Sequence, residues 1–184
     1  MMAKALPQPW TVDDFLAFEA EEAERYEFVG GIVRMMTGGS FAHSVIKNNV
    51  TNALNAALGE GPCLALVDDL KVVTATAVMY PDVVVVCRQL APDDDRITDP
   101  AVVVEVLSPT TERHDRIAKW REYQRIGSLR HVVLVAQQER RTEVHSRTER
   151  GWEMVAVEPP QDAVVLEGVG ATLSLEAIYR RSGR

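Results

Sequence analysis

Two runs of β-branched residues occupy the middle of the chain, and each carries one acidic residue that such a run rarely holds. The first reads YPDVVVVC, with Asp82 at its head, and the second reads PAVVVEVL, with Glu105 inside it. Such runs read as strongly β-branched strands, and the one that holds Glu105 should be buried. An ionised carboxylate buried there is costly unless a cation, a proton or strong hydrogen bonds compensate it. Pro81 suits its place, since a proline at the first residue of a strand need not donate to the ladder. The connecting segment, RQLAPDDDRITDP, reads as a proline-containing acidic loop in which Asp93, Asp94 and Asp95 are solvated.

If the two runs form an antiparallel hairpin about residues 88–100, Asp82 faces position 105 or 106. Opposed side chains project onto one face about 5 Å apart at Cβ. Parity agrees, because Glu105 shares a face with Val103 and Asp82 shares one with Val84. Two carboxylates at that separation repel unless a cation lies between them, and Mg²⁺ takes hard oxygen ligands of this kind. A third helix, expected from Thr111 to Ile126, follows the Glu105 strand. Its expected apolar stripe is Ile117, Trp120 and Tyr123, with Lys119 on the stripe's edge and Tyr123 at i+4 from it. From that edge the ammonium is aimed at the strand pair, where it can activate water or stabilise a phosphate charge.

The remaining patterning gives the frame. Thr11 and Asp14 have capping-box spacing before a helix running through DDFLAFEAEEAER. Tyr26 to Met36 reads as a hairpin turning at Gly30-Gly31. Ser40 caps a second helix with His43, Ile46, Val50, Leu54 and Ala57 on one stripe, closed by Gly59 and Gly61-Pro62. CLALV and LKVVTA read as a short pair of strands, followed later by HVVLVA, a TEVHSR–WEMVAV hairpin and a last helix near LSLEAIYRR. This order describes an α/β or α+β domain built on one mixed sheet, a single unit over residues 1–184 with its core at about 11–180.

Apolar residues at 46% and charged residues at 26% are ordinary for a water-soluble fold, and no stretch approaches the ~20 apolar residues of a membrane span. The opening MMAKALPQPW lacks the apolar run of a signal peptide, so a cytoplasmic protein is expected. Cys63 and Cys87 lie in strand-like surroundings without metal-type spacing and read as reduced, buried thiols, a disulfide being conditional on geometry. The net charge of −7 and pI near 5.1 argue against a protein that coats nucleic acid by charge alone. Zinc spacing, a phosphate-binding glycine loop and a nucleophile elbow are all missing from the sequence.

The segments PDVVVVC and PAVVVEVLSPTTERHDRIAKWREYQRIG resemble the bacterial restriction-endonuclease-like family within the PD-(D/E)XK nuclease superfamily. The matching positions are Tyr26, Glu27, Gly30-Gly31, His43, Pro81-Asp82, the Glu105–Pro109 strand end, Asp115, Lys119 and Tyr123. The resemblance implies a restriction-endonuclease-like mixed β-sheet core flanked by helices. It also implies a Mg²⁺- or Mn²⁺-dependent DNA endonuclease, with Asp82, Glu105 and the carbonyl of Val106 as metal ligands. Leu107 stands where the plain superfamily motif has lysine, which puts that role on Lys119. Glu27, His43 and Tyr123 complete the candidate catalytic set, and cutting two strands suggests a homodimer.

Plainer readings stand beside these. Asp82 can be a polar strand start, Glu105 a buried partner of Lys119, and Lys119 a solvated helix residue. Glu27 either faces outward on its hairpin or points into the cleft, and His43 fits a hydrogen-bonded core histidine. Asp115 reads as a first-turn residue favoured by the helix dipole. The arginines at 113, 116, 121 and 125 form either a solvated face or a phosphate-contacting one. The corresponding alternative functions are a degenerate nuclease fold that binds nucleic acid or a protein partner, and a self-associating structural module.

Overall fold

The computed structural model describes residues 9–67, 69–109 and 112–184, the side chain of Arg113 excepted. Helix α1 (Val12–Glu19) opens with the expected capping box, Thr11 and Asp14 each accepting from the other's amide at 3.1 and 2.9 Å. It ends at Ala20 rather than running on to residue 25, because the segment AEEAER offers no apolar side chain larger than alanine to bury. Strands β1 (Tyr26–Val29) and β2 (Ile32–Met35) form the expected hairpin, with Gly30 and Gly31 at φ of 61° and 78°. Two consecutive positive φ values match the right-handed strand twist at a two-residue turn, and glycine supplies them without strain.

Helix α2 (Phe41–Leu58) is capped by Ser40, which accepts from the amide of His43. Its stripe of Ile46, Val50 and Leu54 is buried, and the i+4 step carries it to Leu58 rather than to Ala57, which is exposed. The chain then forms β3 (Leu64–Val67), β4 (Lys71–Val73), β5 (Val78–Met79), β6 (Val83–Val86), β7 (Arg96–Ile97) and β8 (Val102–Leu107). A helical segment follows as α3 (Glu112–His114), a π-helical turn (Asp115–Lys119) and α4 (Trp120–Tyr123). Thr111, its expected first residue, lies outside the described residues. Then come β9 (His131–Ala136), β10 (Thr142–Thr148), β11 (Gly151–Val157), β12 (Ala163–Leu166), β13 (Ala171–Ser174) and α5 (Leu175–Tyr179).

Among the described residues the strands make three sheets rather than one. The largest is mixed, in the order β11-β10-β9-β8-β6-β3, with β8 and β9 parallel and the other neighbours antiparallel. The parallel pair requires a crossover, and residues 112–123 supply it. A second sheet runs β2-β1-β5-β4-β7, and β12 and β13 form a separate hairpin. CLALV and LKVVTA therefore belong to different sheets. The acidic loop is not wholly solvated either, since Ile97 in β7 is fully buried.

The large sheet is covered on both faces, as its valine runs require. One face packs on α2, α5 and the β12–β13 hairpin through Val83, Val85, Val104 and Val106. The other carries Val84, Val86, Val103 and Leu107 against Tyr123 and the second sheet. Each fully buried valine contributes roughly 1.5–3 kcal/mol. At the start of β3, Asn55 clamps the backbone of Ala65, donating to its carbonyl at 3.0 Å and accepting its amide at 2.9 Å.

The cysteines depart from expectation. Cys63 and Cys87 flank the β3–β6 ladder at opposed positions and form a disulfide, with Cys87 exposed rather than buried. The antiparallel register that pairs Leu64 with Val86 brings them together, which their surroundings in sequence do not reveal.

Candidate active site

The observed register of β6 and β8 pairs Val83 with Val104 and Val84 with Val103. Continued by one residue, it sets Asp82 opposite Glu105, on the face that carries Val84 and Val103. Asp82 sits just before β6 and spans the pair: its Oδ2 accepts the Val106 amide at 2.7 Å, and its Oδ1 lies 2.8 Å from Nε2 of His43. Because the amide and carbonyl of a strand residue point to the same edge, the Val106 carbonyl turns toward Asp82 too.

Glu105 is 3% exposed. Its Oε1 accepts from the Tyr123 hydroxyl at 2.5 Å and from Lys119 Nζ at 3.1 Å. Its Oε2 takes no hydrogen bond among the described residues, and the residue lines the same cleft as Asp82 and His43. Burial above all raises the Glu105 carboxyl well above its ordinary value; Lys119 opposes this, while Asp115, Asp82 and Glu27 add to it.

Lys119 is buried, not a solvated helix lysine. Its Nζ lies 2.7 Å from Glu27, 3.1 Å from Glu105 and 3.5 Å from Asp115. Burial would lower its pKa, but the three carboxylates together outweigh that and hold the ammonium well above its ordinary range. Asp115 is thus an inward residue rather than a dipole-favoured surface one. Asp115, Lys119 and Tyr123, spaced i, i+4 and i+8, share the inner face of the helical segment. Ile117, expected on the apolar stripe, is turned out to 47% exposure, while Trp120 packs against Trp152 and His145.

Glu27 points inward from β1. Its Oε1 also accepts the Tyr80 amide at 2.9 Å, and the Tyr80 hydroxyl donates to Glu19, which binds Lys71. A chain of partners thus runs from the second sheet to Lys119. His43 is held by its Asp82 contact, with its ring so near Gly39 that a Cβ there would lie 2.8 Å from it. Its Nδ1 is buried without a hydrogen-bond partner among the described residues.

All six expected catalytic side chains therefore meet in one region. Glu27, His43, Asp82, Glu105 and Lys119 line a cleft of about 660 Å³, and Tyr123 lies behind Glu105. His114 and Gln137 are among the lining residues that had not been singled out. His114 precedes Asp115 and sits 3.8 Å from Glu27, and no pattern in the sequence marks it. Gln137 follows β9 beside the end of β8, its carboxamide oxygen buried and unpartnered among the described residues. Its place at the carboxyl end of a parallel strand was the available signal.

Among the described residues, no cluster of three or more His, Cys, Asp or Glu side chains surrounds one point. The donors on offer are the carboxylates of Asp82 and Glu105 and the carbonyl of Val106. Mg²⁺ is ordinarily held through one or two carboxylates, with water and substrate phosphate filling its other positions, so this donor set fits such an ion.

A mixed sheet flanked by helices, with an acidic pair and a lysine at one strand end, defines a protein of restriction-endonuclease-like, PD-(D/E)XK fold. The fold is shared by a solved structure described as a putative nuclease belonging to DUF820, from Anabaena variabilis ATCC 29413. The match has a TM-score of 0.75 at 18% identity and covers 93% of this chain and 98% of that one. The model of the Uma2 family, described as "Putative restriction endonuclease", matches residues 12–177, and the chain belongs to that family. Two Synechocystis sp. (strain ATCC 27184 / PCC 6803 / Kazusa) relatives are similar along most of their length. Uncharacterized protein slr1290 is 31% identical over 174 residues, covering 91% of this chain and 90% of the relative. Uncharacterized protein sll1609 is 26% identical over 142 residues, covering 74% and 80%. No helix among the described residues is long and apolar enough to cross a membrane.

Proposed function

We propose that this chain is a Mg²⁺- or Mn²⁺-dependent DNA endonuclease, a single nuclease domain that hydrolyses phosphodiester bonds at the Asp82–Glu105 cleft. The observation that carries the reading is the Asp82–Glu105 pair across β6 and β8, with Lys119 in contact with Glu105. Asp82, Glu105 and the Val106 carbonyl would hold the ion. When bound, a divalent ion polarises a phosphate oxygen and makes its water a stronger nucleophile. Tyr123 and Lys119 fix the orientation of Glu105, and His43 fixes that of Asp82. Lys119, charged and anchored by Glu27, places positive charge where a phosphate oxyanion develops. A cytoplasmic homodimer, one site per DNA strand, is the assembly that would cut a duplex.

One arrangement favours a second reading. The Lys119 ammonium is already enclosed by three carboxylates, and Leu107 stands where the plain motif has lysine. A protein that keeps the fold and binds nucleic acid or a protein partner without cutting would retain that cage as a structural ion cluster.

The test is Mn²⁺ titration by calorimetry and thermal shift, on the native protein and on Glu105→Gln. The nuclease reading expects Mn²⁺ to bind and stabilise the native protein and the variant to lose both effects. Silence from both proteins, with and without DNA, would sink it in favour of the non-cutting one.

A further inference from the structure

Beside the catalytic cleft lies a second concavity of about 680 Å³, formed between α1, the β1–β2 hairpin and residues 114–125. The two are continuous, since Arg34 and His114 line both. Its surface has two chemistries. Trp10, Ile32 and Ile117 are 45%, 54% and 47% exposed, an unusual concentration of apolar side chains for one face. Around them stand Arg34, Arg121 and Arg125, all exposed. Among the described residues Arg34 and Arg121 make no ion pair, and Arg125 pairs with Glu122, the one carboxylate lining the groove, which is itself buried. In a chain of net charge −7 this is a local reversal of sign.

The helical stripe shapes this groove. With Asp115, Lys119 and Tyr123 inward, Ile117 and Arg121 stand on the opposite side of the segment and line the groove with β2. Arg116, expected on the same basic face, instead reaches the opposite side and is neutralised by Glu143 and Glu112.

We infer that this groove is a track for single-stranded nucleic acid, receiving the strand that leaves the catalytic cleft past Arg34 and His114. The inference rests on the proposed nuclease site and names its substrate class: DNA that is single-stranded beside the scissile phosphate. A flat indole and two aliphatic side chains bind base faces, and guanidinium groups bind phosphates; together they are what an unpaired strand offers. A duplex keeps its base faces stacked and leaves such a floor without a partner. A second copy of this chain fits less well, because a two-fold contact through this face would set the arginines of one copy against those of the other.

The test uses the native chain without divalent metal, so that binding is read apart from cleavage. Fluorescence anisotropy measures a labelled oligothymidylate of about 12 nucleotides, within the span of one such groove, and a duplex of equal length. The single strand is expected to bind at least about tenfold more tightly, with a log K against log salt slope near −2 for three phosphate contacts at about 0.7 each. Arg121→Gln, at an exposed and unpaired position, should flatten that slope by about 0.7. Trp10→Ala should weaken single-strand binding about fivefold or more, the loss of one stacked base.

Equal or tighter binding of the duplex would overturn the inference, as would unchanged binding by both variants. Sedimentation that shows a dimer dissolved by either substitution would overturn it too, making the face a self-interface. The two readings fail separately. Groove-dependent binding of the single strand with no response to Mn²⁺ supports the track and sinks the nuclease, and cleavage indifferent to Arg121 and Trp10 does the reverse.

Discussion

Replacing Lys119 with methionine keeps the length and apolar stem of the side chain and removes its charge. In the native protein that charge lies against Glu27, Glu105 and Asp115, at 2.7, 3.1 and 3.5 Å. At an effective dielectric near 20, a unit pair 2.7 Å apart attracts by about 6 kcal/mol, and desolvating the ammonium offsets much of this. What remains after the substitution is a set of buried carboxylates that have lost the ammonium between them. Breaking a buried ion pair from one side typically costs about 3–5 kcal/mol, and that is the expected loss of folding free energy. Urea unfolding followed by circular dichroism reads it as a lower midpoint with an unchanged m-value. The double variant Lys119→Met/Glu27→Gln should recover part of the loss, because it removes one of the stranded charges. A single-variant cost below about 1 kcal/mol, or a double variant no better than the single, would refute the view of Lys119 as the cluster's counter-ion.

Other consequences can be checked on the same footing. Tyr123→Phe removes the hydroxyl that donates to Glu105 and should cost about 1–3 kcal/mol in thermal unfolding while leaving the fold intact. Cys63→Ser opens a loop closed by a disulfide with a sequence separation of 24 and should lower stability by about 3 kcal/mol, with no further loss when a reductant is added. Burial, with help from Arg130, lowers the pKa of His131 despite Glu167, and its Nε2 accepts the Gly168 amide at 2.9 Å, which demands the neutral ring. The unfolded chain therefore binds a proton that the native one refuses. Stability is full above the unfolded value of 6.5 and declines as pH falls toward the native one; His131→Gln should flatten that decline in urea unfolding measured across this range.

The sequence by itself pointed to the two valine strands and to their acidic residues as the candidate site. The valine runs read as strands, and an antiparallel hairpin between them would set Asp82 opposite position 105 or 106; the register of β6 and β8, continued by one residue, decides for 105. The caps at Thr11 and Ser40 and the Gly30-Gly31 turn were equally legible, because each depends on interactions within a few residues. What only the tertiary structure decided was the setting of those groups. Glu27 on its hairpin strand admitted both an inward and an outward reading, and the packing of the second sheet turned it inward to Lys119. The sequence offered the i, i+3, i+6 stripe of Ile117, Trp120 and Tyr123, and packing instead turned the i, i+4, i+8 set of Asp115, Lys119 and Tyr123 inward and left Ile117 exposed. The pairing of Cys63 with Cys87 followed from a register between strands, and the β12–β13 hairpin drew its stability from the core of α2 rather than from its own residues. Local patterns record which face a residue takes within its own element, and which elements meet there is a free-energy question that the whole chain answers at once.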